Sequence, residues 1–554
     1  MNFQADGYLF KPHEQPIMAG SPASPDHPAR RRLAYLLIGL LLAATAGLQN
    51  GLLMAALPQL RGLLGLSPQE GGWIQVAYYM TYACMSILLF RVRQHYGLQR
   101  FVRLTLLLLL AGNLLQVVFE SYLVELLARS ASGIAASGLL VLAVFYLMQA
   151  FTGQAKLAGL ALALGVMQFG TPLAQVWVPF LFAAGGMPAV FALQLALTLL
   201  CIGLVIRLPL PPAPTVRVMS WLDWFSFALF ASGIALLCAF LVQGRIVWWT
   251  TSWLGYLLAG GIALTGTALL IEWRRSKPML DLRWIGAPQI LAFGLTGAVV
   301  RLLTSEQTVG AAGLMAGLGV GSRQMVAFYG VVLAATVFGL VLSLVRLDVN
   351  DIRRPVVVAL LGIAVGAWLD MHSGVDTRPE QLYFSQALIA FSAMYFLGPM
   401  MLEGMIRALA RGPNYIMSFS AVFGLSQTLG GLAGAALCTA FLTVRTRTHL
   451  ADITPHLTLT DPNVALHLHG LALSLAPLSN DAAVLQQQAV GTLLQQAATQ
   501  AMVMAYNDLF ALIGLLAAAA FVCTGLLWLD RRRRGINLLA DEIQRLESML
   551  LPQK

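Results

Sequence analysis

Charge is scarce in this sequence. Asp, Glu, Lys and Arg make up only 10% of its 554 residues, 58% are hydrophobic, and the mean hydropathy is +0.76. No soluble chain of this length can bury that much apolar surface, so the composition defines a polytopic membrane protein. Cysteine is almost absent as well: Cys84, Cys201, Cys238, Cys438 and Cys523 all fall in apolar runs. That pattern argues against a disulfide framework and predicts buried, inert thiols. His456, His467 and His469 share one segment but lack carboxylate or cysteine partners at metal-ligand spacing, so no metal is expected. No Walker-type phosphate loop is present, which removes ATP as the expected energy source, and nothing calls for an enzyme or a cofactor. The net charge of +10 lies in short clusters between apolar runs, which is not the footprint of a nucleic-acid-binding surface. A signal-peptide pattern is missing too. Residues 1–32 are polar, rich in Pro, Gly and His, and end in Arg30-Arg31-Arg32, so they read as a disordered cytosolic tail before an uncleaved first helix.

What is abundant is apolar sequence of membrane-spanning length. About 20 apolar residues at roughly 1.5 Å each cross the hydrocarbon. Fourteen runs are read as spans: 33–57, 73–90, 104–119, 122–148, 158–182, 189–208, then 224–242 and 253–271, then 290–303, 325–345, 356–369, 382–401, 414–444 and 509–529. The expected organisation is a tail (1–32), a six-helix bundle (33–209), two inserted helices (210–285), a second six-helix bundle (286–530) holding a long loop at 445–506, and a basic amphipathic tail (531–554). Positive charge collects in alternate loops. Arg91, Arg93, Arg100 and Arg103 follow span two, and Lys156 follows span four. Arg207 and Arg217, then Arg274, Arg275, Lys277 and Arg283, then Arg346, Arg353 and Arg354, then Arg407 and Arg411, and finally Arg531 to Arg534 continue the pattern. The positive-inside rule then makes both termini cytosolic. All eleven tryptophans lie near span ends, where aromatic belts form against the lipid bilayer.

The few polar groups inside the spans are the candidate functional residues. Arg129 lies within the fourth span, where a cation costs about 2.5–3.5 kcal/mol near the centre on insertion scales. Glu125 sits one turn earlier on the same face as a neutralising partner, and Gly133 one turn later allows close helix approach. A structural Arg–Glu pair and a charge lining a transport path are both open. Gln168, Thr171 and Gln175 form a polar stripe at i, i+3 and i+7, around Pro172 with Gly165 and Gly170. With Gln49, Asn50, Asn113 and Gln116, these amides recur across several helices, which favours a cavity wall over helix–helix glue. A cavity of neutral amides suits an amphipathic or aromatic small molecule. Arg301 and Glu306 are the notable charges of the ninth span; Glu306 is either an interfacial acid in water or a buried proton carrier. Glu403 and Arg407 read as a surface i, i+4 pair, and Asp348, Asp351, Arg353 and Arg354 as a charged turn or a latch. In the long loop, Asn480-Asp481 is placed to cap a helix running into the last span, and its leucines suit packing on a partner or a solvated hairpin. Leu539, Ile543, Leu546 and Leu550 share one face of a helix expected to lie on the inner membrane surface.

Several stretches resemble one family. LLARSASGIAA around Arg129 and Gly133 resembles the Arg-to-Gly motif in helix four of fourteen-helix drug:proton antiporters of the major facilitator superfamily, the EmrB-type exporters. Asp223-Trp224, KPMLDLRW at 277–284, the glycine-rich LSQTLGGLAGAAL with Gly430, Gly431 and Gly434, and AYND at 505–508 resemble further segments of that family in order. Gly97 and its neighbouring arginines match the gating loop, although Gln94 replaces its usual Asp. Gln49 stands where the family usually has an Asp, Gln427 where many relatives have Arg, and helix five lacks the contiguous Gly-Pro. The resemblance implies an all-α major-facilitator fold and a secondary exporter of the bacterial inner membrane. It also implies proton coupling, with Arg129, Glu125, Glu306 and Arg301 as candidates, and partnership with a periplasmic adaptor and an outer-membrane channel. A scaffold or sensor that kept the fold, or an exporter of one metabolite or siderophore, is the alternative.

Overall fold

A segment crossing lipid must satisfy its own backbone N–H and C=O groups, and the apolar runs of this chain do so as helices. The computed structural model describes residues 4–5, 8–9, 11, 14–16, 19–276, 278–348, 351–412, 415–475, 477, 481–535 and 539–550. Apart from a two-residue antiparallel pair, Gln4–Ala5 with Tyr8–Leu9, the regular structure described is helical. The first half comprises α1 (Ala29–Leu64), α2 (Pro68–Tyr96), α3 (Leu98–Val118), α4 (Tyr122–Ala150), α5 (Lys156–Gln168) and α6 (Gly170–Arg207). A hairpin of α7 (Trp221–Val247) and α8 (Ser252–Arg274) follows, then the short α9 (Leu282–Ile285). The second half holds α10 (Pro288–Leu303), a π-helical turn at Glu306–Ala311, α11 (Ala312–Gly317), α12 (Val326–Val345), α13 (Arg353–Asp370), α14 (Tyr383–Leu409) and α15 (Tyr415–Ile453). It closes with α16 (Pro462–Leu475), α17 (Ala482–Arg533) and α18 (Ala540–Leu550).

Packing divides these helices into two bundles. In the first, α4 lies against α1, α2, α3 and α5, while α1 also packs along α6. In the second, α12 packs on α14, α13 on α14 and α17, and α15 on α10 and α17. The bundles meet where α2 runs beside α15 and where α12 and α14 cross α5. The α7–α8 hairpin rests on α2 and α15. A capping box at Ser220 and Asp223 starts it, and Arg275 ties its ends by bridging Asp223 at 2.9 Å and Glu272 at 2.8 Å.

Among the described residues, eleven helices are long and apolar enough to cross a membrane, or up to twelve with a bent pair in α2 joined, against the fourteen expected. Two places make the difference. Residues 158–207 count as one apolar helix of 50 residues, or about 75 Å at ~1.5 Å per residue, more than two crossings of a ~30 Å core. That run is interrupted by non-helical backbone at Gly185 and at Gly186, whose φ is +67°. α13 has only 18 residues and carries Arg353, Arg354 and Asp370.

Hydrogen bonds gather the basic connections on one face. Arg91 donates to Val218 O at 3.3 Å and Pro278 O at 3.0 Å, and Val216 N donates to Gln94 O at 2.9 Å. Asp281 N reaches Ser418 Oγ at 3.0 Å, and Trp528 Nε1 reaches Asp351 Oδ1 at 2.7 Å. Gly97, φ +91°, turns α2 into α3 on this face.

Several expectations are corrected here. The N-terminal tail is docked from about residue 20: Gly20 N bonds Pro214 O, Ala23 N bonds Pro212 O, and Gln149 Nε2 bonds Ala23 O at 2.8 Å. Leu539, just before α18, and Ile543 within it pack on Ile352, Leu402 and Ile406, so this tail covers protein rather than only lipid; the side chains of Leu546 and Leu550 lie outside the described residues. Glu403 and Arg407 are no surface pair. Both are 4% exposed and bridged at 2.8 Å, with Arg353 at 3.3 Å from the same carboxylate oxygen. Four cysteines are buried, but Cys523 is exposed. Asp481 caps α17 through Ala483 N, whereas Asn480 and Lys277 lie outside the described residues.

Candidate functional site

The first polar centre is in the first bundle. Arg129 is fully buried, and its guanidinium fork reaches α1 instead of Glu125: Nη1 donates to Gln49 O and Nη2 to Asn50 Oδ1, both at 2.7 Å. The fork also lies over the Tyr78 ring, 4.7 Å from its centroid. Glu125 accepts instead from Gln116 Nε2 at 2.8 Å, and no ion pair joins it to Arg129 among the described residues. The expected i, i+4 contact is therefore not a direct ion pair: Glu125 acts on Arg129 through its charge, while the fork's hydrogen bonds go to the carbonyl and amide facing it on α1. Gly133 allows the crossing, since a Cβ there would lie 2.5 Å from Tyr78 O.

The amides expected to line a cavity mostly do something else. Asn113 donates to Thr198 Oγ1 at 2.7 Å and Gln194 O at 3.3 Å, and Gln194 donates to Gln49 O at 3.3 Å. Asn113 and Gln116 are buried and bond from α3 to neighbouring helices, so they hold helices together, whereas the buried Gln49 side-chain amide has no partner among the described residues and only its backbone carbonyl accepts. The α5 stripe is split by the α5–α6 boundary at Phe169: Gln168 reaches the seam between the bundles, Thr171 is exposed, and Gln175 is half-buried. Pro172 is buried, and Gly170 and Gly47 touch backbone to backbone. Gly165 abuts Leu340 across the seam. Gly430 and Gly434 bring α15 against α10, with would-be Cβ atoms 2.9 Å from Ala298 Cα and 2.8 Å from Leu302 Cα.

The second centre pairs two acids. Glu306 opens the π-helical turn and is 0% exposed, as is Gln386 on α14; Asp370, the last residue of α13, is 2% exposed. Gln386 Nε2 donates to Glu306 Oε1 at 2.9 Å and Oε2 at 3.1 Å, and to Asp370 Oδ2 at 2.7 Å. No salt bridge reaches either acid among the described residues. Of the two readings for Glu306, the buried one holds. Asp370 and Gln386 were missed in the sequence, although a carboxylate closing an apolar run was a usable signal.

Two cavities flank these groups. One of about 600 Å³, within the range of small-molecule sites, is lined by Thr308, Val309, Thr443, Arg447, Met502 and Tyr506 among others. Thr308 and Val309 share the π-helical turn with Glu306, and such turns recur at functional sites. The other lies in the seam between Gln168 of the first bundle and Arg301, Thr304 and Gln427 of the second, and is closed to about 20 Å³.

A scan of family models and a search of curated proteins return no match. Solved structures do. The proton:xylose symporter XylE, of the major facilitator superfamily, superposes with a TM-score of 0.50 at 12% identity, over 88% of this chain and 95% of that one. The human organic anion transporter MFSD10 gives 0.52 at 14% identity, over 89% and 100%. A bacterial homologue of the human drug peptide transporters PepT1 and PepT2 gives 0.52 at 13%, over 91% and 100%. The chain has the all-helical fold of major facilitator membrane transporters.

Proposed function

We propose that this chain is a proton-coupled secondary exporter of amphipathic or aromatic small molecules, built as a fourteen-span inner-membrane pump of the EmrB type with both termini cytosolic. The observation that carries this reading is the Glu306–Gln386–Asp370 cluster. Two buried carboxylates that share one amide and have no cation beside them among the described residues are held at least cost with a proton between them. Such a pair supplies the acid that position 49 lacks. Because Glu306 and the lining of the 600 Å³ cavity sit on one π-helical turn, proton occupancy and substrate occupancy act on the same backbone. Rocking of the two bundles about the seam then exposes the site to alternate faces.

In proteoliposomes with an imposed pH gradient, flux of an aryl panel (naphthamide, naphthoate and naphthylamine) tests the reading. Glu306→Gln and Asp370→Asn are expected to abolish gradient-driven flux while sparing exchange without a gradient. Full gradient-driven flux in both variants removes the acid pair from coupling. No flux of any panel member in the unaltered protein favours a scaffold. The proposed adaptor and outer-membrane channel have a docking candidate in the α16–α17 hairpin, where Leu466 is 79% exposed and Leu459, Leu473 and Leu494 are also exposed. Deleting Pro462–Leu475 is expected to end adaptor co-purification and spare vesicle flux; retained co-purification places the adaptor elsewhere.

A further inference from the structure

Arg301 differs from the other cations inside the bundles. Arg129 grips α1, Arg93 lies over the Phe90 and Phe145 rings, Arg245 donates to Gln75 Oε1, and Arg353 and Arg407 share Glu403. The Arg301 guanidinium makes no hydrogen bond, ion pair or ring contact with the described residues; its backbone carbonyl accepts from Thr304 and Ser305. Glu306, five residues on, is turned to Gln386. A cation at membrane depth costs about 2.5–3.5 kcal/mol on insertion scales, so leaving one without a partner calls for a ligand.

Its surroundings say which ligand. Arg301 and Gln427 line the same seam cavity, and the Gln427 Nε2 donor is buried without a partner. Tyr79 and Tyr82 lie within electrostatic reach of the guanidinium. Gly431 leaves the guanidinium room, since a Cβ there would stand 3.2 Å from Arg301 Nε. Unused donors converge on this point, with Gln168 and Thr304 beside them, and the rest of the wall is apolar: Gly297, Val300, Met394, Phe396 and Leu397. Donors without an acceptor in an apolar wall complement a planar oxyanion on an aromatic or aliphatic body. We propose that Arg301, with Gln427, receives the carboxylate or sulfonate of the transported molecule when rocking of the bundles widens the seam, closed here to about 20 Å³, so that the substrates are amphipathic acids. This rests on reading the chain as an exporter. It refines the neutral cavity expected from the amides, several of which bind helices to one another instead.

The test is equilibrium binding to the purified full chain in detergent, which needs no gradient. The probes are 1-naphthoate and 1-naphthalenesulfonate against uncharged 1-naphthamide. Charge-assisted hydrogen bonds predict that the acids bind about tenfold or more tighter than the amide. Arg301→Gln is expected to erase that difference and leave amide binding, and Arg301→Lys to keep part of it. Should Arg301→Gln not fold, Gln427→Leu, which keeps the cation and removes one donor, is expected to narrow the difference several-fold. Acids that bind the unaltered protein no tighter than the amide overturn the assignment. So does an Arg301→Gln protein that weakens acid and amide alike. Acid-selective binding without gradient-driven flux sinks the exporter reading alone; flux without acid selectivity sinks the Arg301 assignment alone.

Discussion

Replacing Gln386 by leucine removes the amide that, among the described residues, bridges the two buried acids, while keeping much of the volume. Its amide offers two N–H groups, one shared between Glu306 Oε1 and Oε2 at 2.9 and 3.1 Å, the other held by Asp370 Oδ2 at 2.7 Å. A hydrogen bond to an ionised oxygen is worth about 1.5–3 kcal/mol and a neutral one about 0.5–1.5 kcal/mol, so the loss sums to about 2–4.5 kcal/mol. The assay is unfolding of the purified protein by SDS, followed by tryptophan fluorescence. Adding Asp370→Asn supplies a new amide donor beside Glu306 and removes one charge. The Gln386→Leu/Asp370→Asn double variant is therefore expected to recover at least half of the loss. A single variant that loses less than about 1 kcal/mol, or a double variant no more stable than the single, refutes the claim that this amide holds two acids together.

Arg129→Lys keeps the charge but replaces a fork that makes two 2.7 Å bonds, so it is expected to cost about 1.5–3 kcal/mol by the same unfolding assay. Glu125→Gln is expected to cost less, because its described partner is the Gln116 amide; equal losses would restore the Arg129–Glu125 pair. Gly47→Ala and Gly170→Ala each place a methyl into opposing backbone, a Cβ on Gly170 standing 2.6 Å from Gly47 Cα, and are expected to cost about 3 kcal/mol or more; recovery of either variant with normal yield and melting would contradict the contact. In a cysteine-free background, Thr460→Cys is expected to react with an impermeant thiol reagent in intact cells and Asp541→Cys only after lysis, and the reverse pattern inverts the topology.

Which residues could be found in advance follows from what a single sequence displays. Arg129 and Glu306 were visible because a charge inside an apolar run is conspicuous whatever its neighbours. Their partners were not, since Gln49 O and Gln386 come from helices distant in sequence, and no pattern within one helix says which face another helix will meet. Asp370 was lost by one residue: the eleventh span was drawn to position 369, and the acid reads there as the first residue of a loop. The amides misled for the opposite reason. Asn113 has the same chemistry whether it walls a cavity or bonds Thr198, and only packing separates the two. The helical architecture was far more legible, because span length and alternating basic loops are properties of each segment alone. Gly185 and Gly186, which interrupt an apolar run long enough to read as one helix, were already bracketed by the drawn gap between 182 and 189.

The docked tails make the protein readable by spectroscopy. The N-terminal segment bonds to the α6–α7 connection and to Gln149 of α4, and α18 packs on Ile352, Leu402 and Ile406. Each tail is thus fastened to one bundle and, in its described contacts, to that bundle's side of the seam. Fluorophores attached near Pro28 and Asp541 would ride as two arms of a pair of calipers. Their separation in single molecules would follow the relative tilt of the bundles through a transport cycle, without a label placed in any spanning helix.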